Sequence, residues 1–151
     1  MSAQPAHIRR ARRTDFRAVM GLLVHSGLPA PPPDRPTLHR FRALVADLGT
    51  DFYVAEVDGA VVGLVHVTYA RQLAVLPVAR LDQLLVAEAY RRRGIAAALL
   101  AAMQGRARRR GCSRMACAVA AGAGPSGRGL LQKHGFRAAG ERFELAFDAD
   151  V

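Results

Sequence analysis

Runs of apolar residues, several alternating with polar ones, mark the stretches that we predict as strands. Two of them, FYVAEV (52–57) and VVGLVHVTY (61–69), flank Asp58-Gly59. This dipeptide between β-branched runs is typical of a tight β-hairpin. A third run, ARLDQLLVA (79–87), continues the sheet. The remaining predicted strands are Ile8–Ala11, SRMACAV (113–119) and FELAF (143–147).

Four other segments place apolar residues at the spacing of an amphipathic helix. The first starts near Phe16 and ends before Gly27, where a proline-rich loop follows, and the second follows that loop. The third starts after Gly94, and the fourth is short and ends at Gly135. The order β-α-α-β-β-β-α-β-α-β predicts an α/β fold with a mixed, mostly antiparallel central sheet flanked by helices.

The length of 151 residues suits one domain, 1–151, and the sequence contains no repeat. No apolar run approaches the ~20 residues that cross a membrane, so we expect no membrane partner. The N-terminus has no apolar signal segment. Cys112 and Cys117 are too few for a disulfide framework, and no cluster has the spacing of a metal site. We therefore expect a cytoplasmic protein without a metal.

The net charge of +10 favours anionic partners such as nucleic acid, an acidic membrane or a polyphosphate ligand. Arginine accompanies very abundant alanine along the whole chain, so biased composition accounts for much of this excess. No aromatic residue interleaves the arginine clusters, so no platform for base stacking is visible. Nucleic acid is therefore the least favoured of our functional hypotheses.

The stretch YRRRGIAAALL (90–100) places three arginines where a helix begins. A helix N-terminus carries partial positive charge, which disfavours cations unless an anion binds there. Its first N–H groups lack partners within the helix and form an anion site. Gly94 permits close approach of a phosphate, and Ala96 keeps the first turn small. The competing interpretation is that the arginines only solvate a surface helix.

Four motifs in this order resemble the GNAT superfamily of N-acetyltransferases, over Ile8 to Phe147. The opening I-R-x-A-x-x-x-D is matched from Ile8 to Asp15, and the hairpin AEVDGAVVG ends in the family's V-G dipeptide. The core signature Q/R-x-x-G-x-G/A is matched by Arg91-Arg92-Arg93-Gly94-Ile95-Ala96, after a strand that ends in Val86. Gly135-Phe136 matches the closing G-F dipeptide.

This resemblance implies direct transfer of an acetyl group from acetyl-coenzyme A (acetyl-CoA) to a primary amine, of a small molecule or of an N-terminal or lysyl group. It also implies a homodimer. The pantetheine arm would lie along Leu84, Leu85 and Val86, where a backbone N–H would hold the oxyanion. The pyrophosphate would bind at Arg91, Arg92, Arg93, Gly94, Ile95, Ala96 and Ala97. Arg128, on the last helix, either contacts the phosphates of the coenzyme or belongs to a solvated face.

Three positions depart from the family pattern. Leu131 stands where the family has its proton-donating Tyr, Gly124 where an Asn often opens the last helix, and Arg80 where many relatives carry Glu. A positioned acid or base contributes roughly 10²–10⁴-fold, so we expect slower transfer rather than none. A non-catalytic coenzyme-binding or regulatory protein on the same fold is therefore the second hypothesis.

The catalytic candidates are Asp82 and Glu56 as general base and Ser126 as general acid, with Tyr90 as another possible acid. Asp82 lies two residues after Arg80, on the same side of a strand. A salt bridge from Asp82 to Arg80 or another arginine is the slightly favoured interpretation, because ion pairs are common in so basic a chain. His66 and Cys117 sit among apolar strand residues, and we interpret both as structural.

Overall fold

The computed structural model describes residues 4–118 and 125–147, and only the backbone at residues 125 and 126. A short 3-10 turn, Arg13–Asp15, precedes the first helix. The strands and helices, in chain order, are β1 (His7–Arg10), α1 (Phe16–His25), α2 (Arg35–Ala46), β2 (Asp51–Val57), β3 (Ala60–Ala70), β4 (Val78–Val86), α3 (Ile95–Arg109), β5 (Arg114–Cys117) and α4 (Pro125–Lys133).

Internal contacts divide the chain into two compact units. The first runs to Ala118 and holds the sheet with α1, α2 and α3, and the second begins at Val119 and holds α4. Each unit is described below by itself. A single domain over 1–151 stays a prediction.

The sheet has five strands in the order β1-β2-β3-β4-β5. The first four pair antiparallel, and β5 pairs parallel to β4. This arrangement confirms the predicted α/β class and the mixed, mostly antiparallel sheet. The predicted hairpin is also confirmed, because Asp58 and Gly59 have φ values of 51° and 79°. Two left-handed residues are what a two-residue hairpin turn requires.

The two faces of the sheet are covered by different helices. Phe52, Val54 and Leu64 pack against α1 and α2 in one buried cluster. The adjacent Gly63 faces α3, since a Cβ atom there would lie 3.2 Å from Leu99 Cδ1 and 3.2 Å from the carbonyl oxygen of Leu85. The V-G dipeptide of the hairpin motif therefore lets α3 pack directly against the sheet.

The opening motif forms an ion-pair cluster that fixes the start of α1. The Arg9 guanidinium donates to both carboxylate oxygens of Asp15, at 2.8 and 2.9 Å, and to Glu56 at 2.9 Å. Asp15 also accepts from the backbone N–H of Arg12 at 2.7 Å. The hydrogen bonds from Arg9 lower the pKa of Asp15, although its burial opposes this effect.

One predicted strand is wrong. The segment FELAF (143–147) contains no strand, and its large apolar side chains are exposed. Alternating apolar residues indicate only which face of a strand would be buried. A strand also requires a hydrogen-bonded neighbour, and none pairs with this segment in the described part of the chain.

Candidate active site

The turn between β4 and α3 presents a row of free backbone donors. Gly94 has φ of 78°, and Arg92 has φ of 62°, which is uncommon for a residue other than glycine. The first backbone bond of the helix runs from Ala98 N to Gly94 O, at 3.0 Å. Among the described residues, the N–H groups of 92–97 have no backbone acceptor. Such donors at the positive end of a 15-residue helix form an anion site.

The three arginines of this turn are exposed, and two of them contact neighbouring residues. Arg91 Nε donates to the carbonyl oxygen of Val86 at 3.2 Å, which ties the turn to the end of β4. The Arg93 guanidinium lies 5.0 Å from the centre of the Tyr90 ring. The remaining guanidinium N–H groups have no acceptor in the described residues, so they are available to an anionic ligand.

The half of β4 next to this turn has a free edge. Its pairing with β5 runs from Val78 only to Leu81, which lies opposite Cys117. Within the described ranges, no strand covers this side of Leu84, Leu85 and Val86, whereas β3 pairs with their other side. An amide-containing chain could add to this edge as an extra strand does.

A cavity of about 340 Å³ adjoins the same turn. It lies between α1 and the end of β4, and its lining includes Leu22, His25, Val86, Glu88 and Arg91. Its volume and its mixture of apolar and polar side chains are within the range of small-molecule sites. A ligand in this cavity would contact Arg91, which also belongs to the turn between β4 and α3.

Asp82 occupies a β-bulge in the middle of β4. His66 pairs with Gln83 and Val67 with Leu81, so Asp82 is the extra residue. The Thr68 hydroxyl donates to its carboxylate at 2.5 Å, and Arg80 Nη2 lies 4.0 Å away. A bulge turns its side chain out of the regular pleat and is common beside active sites. Sequence reasoning missed Thr68, because the contact depends on the pairing of Thr68 with Arg80 across two strands, which the sequence does not specify.

The other candidates in the first unit have structural partners. Glu56 is held by Arg9, far along β2 from the bulge. His66 is buried against Phe52, with ring centres 5.2 Å apart. Burial lowers the pKa of His66, although the charge of Asp82 opposes this effect. Burial and the charge of Asp82 both raise the pKa of the Cys117 thiol.

The last candidates lie in the second unit or outside the described residues. Arg128 is exposed on α4, and Leu131 lies on the same helix without a proton to donate. The side chain of Ser126 and the whole of Gly124 fall outside the described residues. In the part of the chain that is described, no group of acidic, His or Cys residues could hold a metal ion.

Comparison with known proteins identifies the family. A profile of the Acetyltransferase (GNAT) family matches residues 12–136, which is most of the chain. The chain belongs to the GNAT acetyltransferase family. No curated protein sequence gives a significant match. The turn between β4 and α3 and the bulge at Asp82 therefore lie within the matched segment.

Solved structures show the same fold at low sequence identity. A transcriptional regulator from Bacillus halodurans C-125 has a TM-score of 0.84 and 23% identity, with 94% of this chain and 99% of that chain covered. A ribosomal-protein-alanine N-acetyltransferase from Brucella melitensis biovar Abortus 2308 has a TM-score of 0.73 and 22% identity, with 94% of this chain and 99% of that chain covered. The aminoglycoside N-acetyltransferase AAC(6')-Iy, solved in complex with CoA, has a TM-score of 0.80 and 21% identity, with 99% of this chain and 100% of that chain covered. At these identities the neighbours show the shared fold alone.

Proposed function

We propose that this protein transfers the acetyl group of acetyl-CoA to a primary amine, of a small molecule or of an N-terminal or lysyl group, within a ternary complex. The observation that carries the proposal is the continuity of two binding features. The free donors of residues 92–97 come shortly after the free edge of β4, beyond a 3-10 turn at Glu88–Tyr90. The first feature suits a pyrophosphate and the second suits a chain of amides, which are the two parts of the coenzyme that need recognition.

The residues present fit this ligand. The backbone from Arg92 to Ala97, with the guanidinium groups of Arg91 and Arg93, would hold the pyrophosphate. Leu84, Leu85 and Val86 would hold the pantetheine arm, and an N–H of this segment would donate to the thioester oxygen. Arg128, on the last helix, is the second contact that the sequence predicts for the phosphates. The bound coenzyme supplies an activated acetyl thioester.

Asp82 is our first choice for binding and deprotonating the amine. Its carboxylate lies beside the proposed pantetheine edge, and Thr68 holds its orientation. Glu56 is the second choice, although its ion pair with Arg9 competes with this role. Ser126, or Tyr90, would donate the proton that the coenzyme thiolate takes up. The last helix otherwise offers Leu131 at the family's proton-donor position.

A non-catalytic coenzyme-binding protein is the second candidate function, and Leu131 and Arg80 are the observations that favour it. Turnover separates the two functions. Purified protein would be incubated with acetyl-CoA and a panel of polyamines, aminoglycosides, peptide N-termini and lysyl peptides, and free thiol and acetylated amine would be measured. Amine-dependent release of thiol supports the enzyme. Coenzyme binding without release across the whole panel supports the binding protein. Failure to bind acetyl-CoA overturns both.

A further inference from the structure

Three loops meet at the end of the first unit opposite the turn between β4 and α3. Helix α3 carries the chain about 22 Å from that turn, at 1.5 Å per residue. Just beyond this helix, Arg110 donates to the carbonyl oxygen of Leu48 at 2.9 Å and lies over the Tyr69 ring at 4.5 Å. Ser113 N donates to Pro77 O at 3.1 Å. These contacts join the loops 47–50, 71–77 and 110–113 into one surface, which we call the basic end.

Large aliphatic side chains project from the basic end. In the loop 71–77, Leu73 is fully exposed, Leu76 is 62% exposed and Val75 is 46% exposed. In the loop 47–50, Leu48 is 77% exposed. They occupy two neighbouring loops rather than scattered positions. Several large aliphatic residues exposed together are uncommon on a soluble surface and mark an interaction site.

Several arginines lie within or next to the same loops in sequence. Arg71, Arg108, Arg109 and Arg114 are exposed, and none forms a salt bridge with any described residue. The buried acid of this end, Asp51, is already paired with arginines of the core. The exposed acid of the three loops is Asp47, so the described part of this surface keeps a net positive charge that suits an anionic partner.

We propose that the basic end docks on the surface of an anionic lipid bilayer. Protruding aliphatic tips can enter the boundary between headgroups and acyl chains, while guanidinium groups pair with lipid phosphates. A nucleic acid would use the cations and aromatic side chains, and it would gain little from leucines. The docking is peripheral, because no helix among the described residues is long and apolar enough to cross a bilayer. The expectation of no membrane partner considered only spanning segments.

Vesicle co-sedimentation tests this proposal independently of acetyl transfer. The full chain would be mixed with vesicles of phosphatidylcholine alone and of phosphatidylcholine with phosphatidylglycerol. We expect binding to the anionic vesicles only, and a loss on the order of tenfold in Leu73→Asn/Leu76→Asn. Leu28→Asn is the matched control: Leu28 is 57% exposed but follows α1 at the other end of the sheet, and this variant should bind normally. Arg109→Gln should weaken binding more than Arg35→Gln, which lies at the start of α2.

Four outcomes would overturn the proposal. They are no binding to anionic vesicles, equal binding to neutral vesicles, equal loss in the Leu28 control, and binding that is unchanged when both loop leucines are replaced. Salt-sensitive binding to a labelled RNA that competes with the vesicles and ignores the leucines would assign the surface to nucleic acid instead. Thermal melting of each variant would establish that it is folded before its binding is compared.

Discussion

The guanidinium group of Arg110, just after α3, donates to both oxygens of the fully buried Asp51 carboxylate, at 3.1 and 3.2 Å. Arg106 Nε lies 2.9 Å from the same carboxylate, and the Tyr69 hydroxyl also donates to it. Arg10 adds a longer ion pair at 3.6 Å. This cluster links the start of β2 to the end of β3 and to the C-terminal end of α3. It therefore fixes the helix that begins just after Gly94.

Replacing Asp51 with Asn should lower the free energy of unfolding by about 3–5 kcal/mol, because it leaves several arginines beside a buried neutral group. Urea unfolding would measure the loss. Asp58→Asn is the control, since Asp58 lies in the exposed hairpin turn with φ of 51°, where Asn is well tolerated. Similar losses in both variants would show that the buried cluster contributes little.

Stability should fall in acid because of two carboxylates. Burial alone would raise the pKa of Asp51, but its hydrogen bonds from Tyr69 and Arg110 and the nearby charge of Arg106 outweigh burial and lower that pKa. The pKa of Asp15 is lowered by Arg9. The unfolded chain then binds more protons below the ordinary Asp pKa of about 3.9. The stabilisation is complete above that pH and is lost as the pH falls through the lower pKa values of the folded state.

Urea unfolding at a series of pH values from about 7 to about 3 would test this dependence. The wild type should lose stability steeply below about pH 4, and Asp51→Asn should lose less over the same interval because one of the two linked groups is gone. Parallel curves for the two proteins would contradict the assignment of Asp51 as a linked group.

Much of the fold follows from local patterns. The hairpin turn, the Gly94 turn and the helix stripes depend on neighbouring residues, and the structure confirms the elements they predicted. The Asp51 cluster joins residues as far apart in sequence as Arg10 and Arg110, so no local pattern indicates it. The hydrogen bond from Thr68 to Asp82 likewise depends on the pairing register of β3 with β4. FELAF failed because a strand needs a partner as well as alternation.

Gly94→Asp should abolish coenzyme binding, because it places a carboxylate where the turn presents its donors. The protein offers a closely matched control in Gly59→Asp. Gly59 and Gly94 have φ of 79° and 78°, and an added Cβ atom meets nothing within 4 Å at either position. Both variants should therefore carry a similar backbone cost of roughly 1–2 kcal/mol.

Thermal melting with acetyl-CoA would measure the difference. Saturation at about 100 times Kd stabilises the folded state by about 2.7 kcal/mol, which raises Tm by a few degrees. The wild type and Gly59→Asp should keep this rise, and Gly94→Asp should lose it. Loss in both variants would indicate a general fold defect, and retention in Gly94→Asp would place the coenzyme elsewhere.

Gly63→Ala should destabilise the protein by about 1–3 kcal/mol through overpacking. The new methyl group would lie 3.2 Å from the carbonyl oxygen of Leu85, which the sheet holds in place, and 3.4 Å from Ile95 Cγ2. Gly21→Ala is the opposite case, because its Cβ meets nothing within 4 Å inside helix α1, and it should stabilise by about 0.5–1 kcal/mol. Opposite changes in urea midpoint would support both statements, and a stable Gly63→Ala variant would refute the close contact with α3.

The two interpretations of Asp82 predict different responses in kinetics. If Asp82 is the general base, Asp82→Asn should lower kcat by about 10²–10⁴-fold. If it serves only as a partner of Arg80, Arg80→Gln should cause a similar loss. We expect the first result, because the Arg80 guanidinium is 59% exposed and 4.0 Å distant, and such pairs contribute only about 0–1 kcal/mol.

Arg80→Gln should then keep kcat within a few-fold of the wild type, and Thr68→Val should lower it by releasing the carboxylate. Equal losses at Asp82 and Arg80, restored in a variant with the two residues exchanged, would instead assign Asp82 to the salt bridge and return the role of base to Glu56.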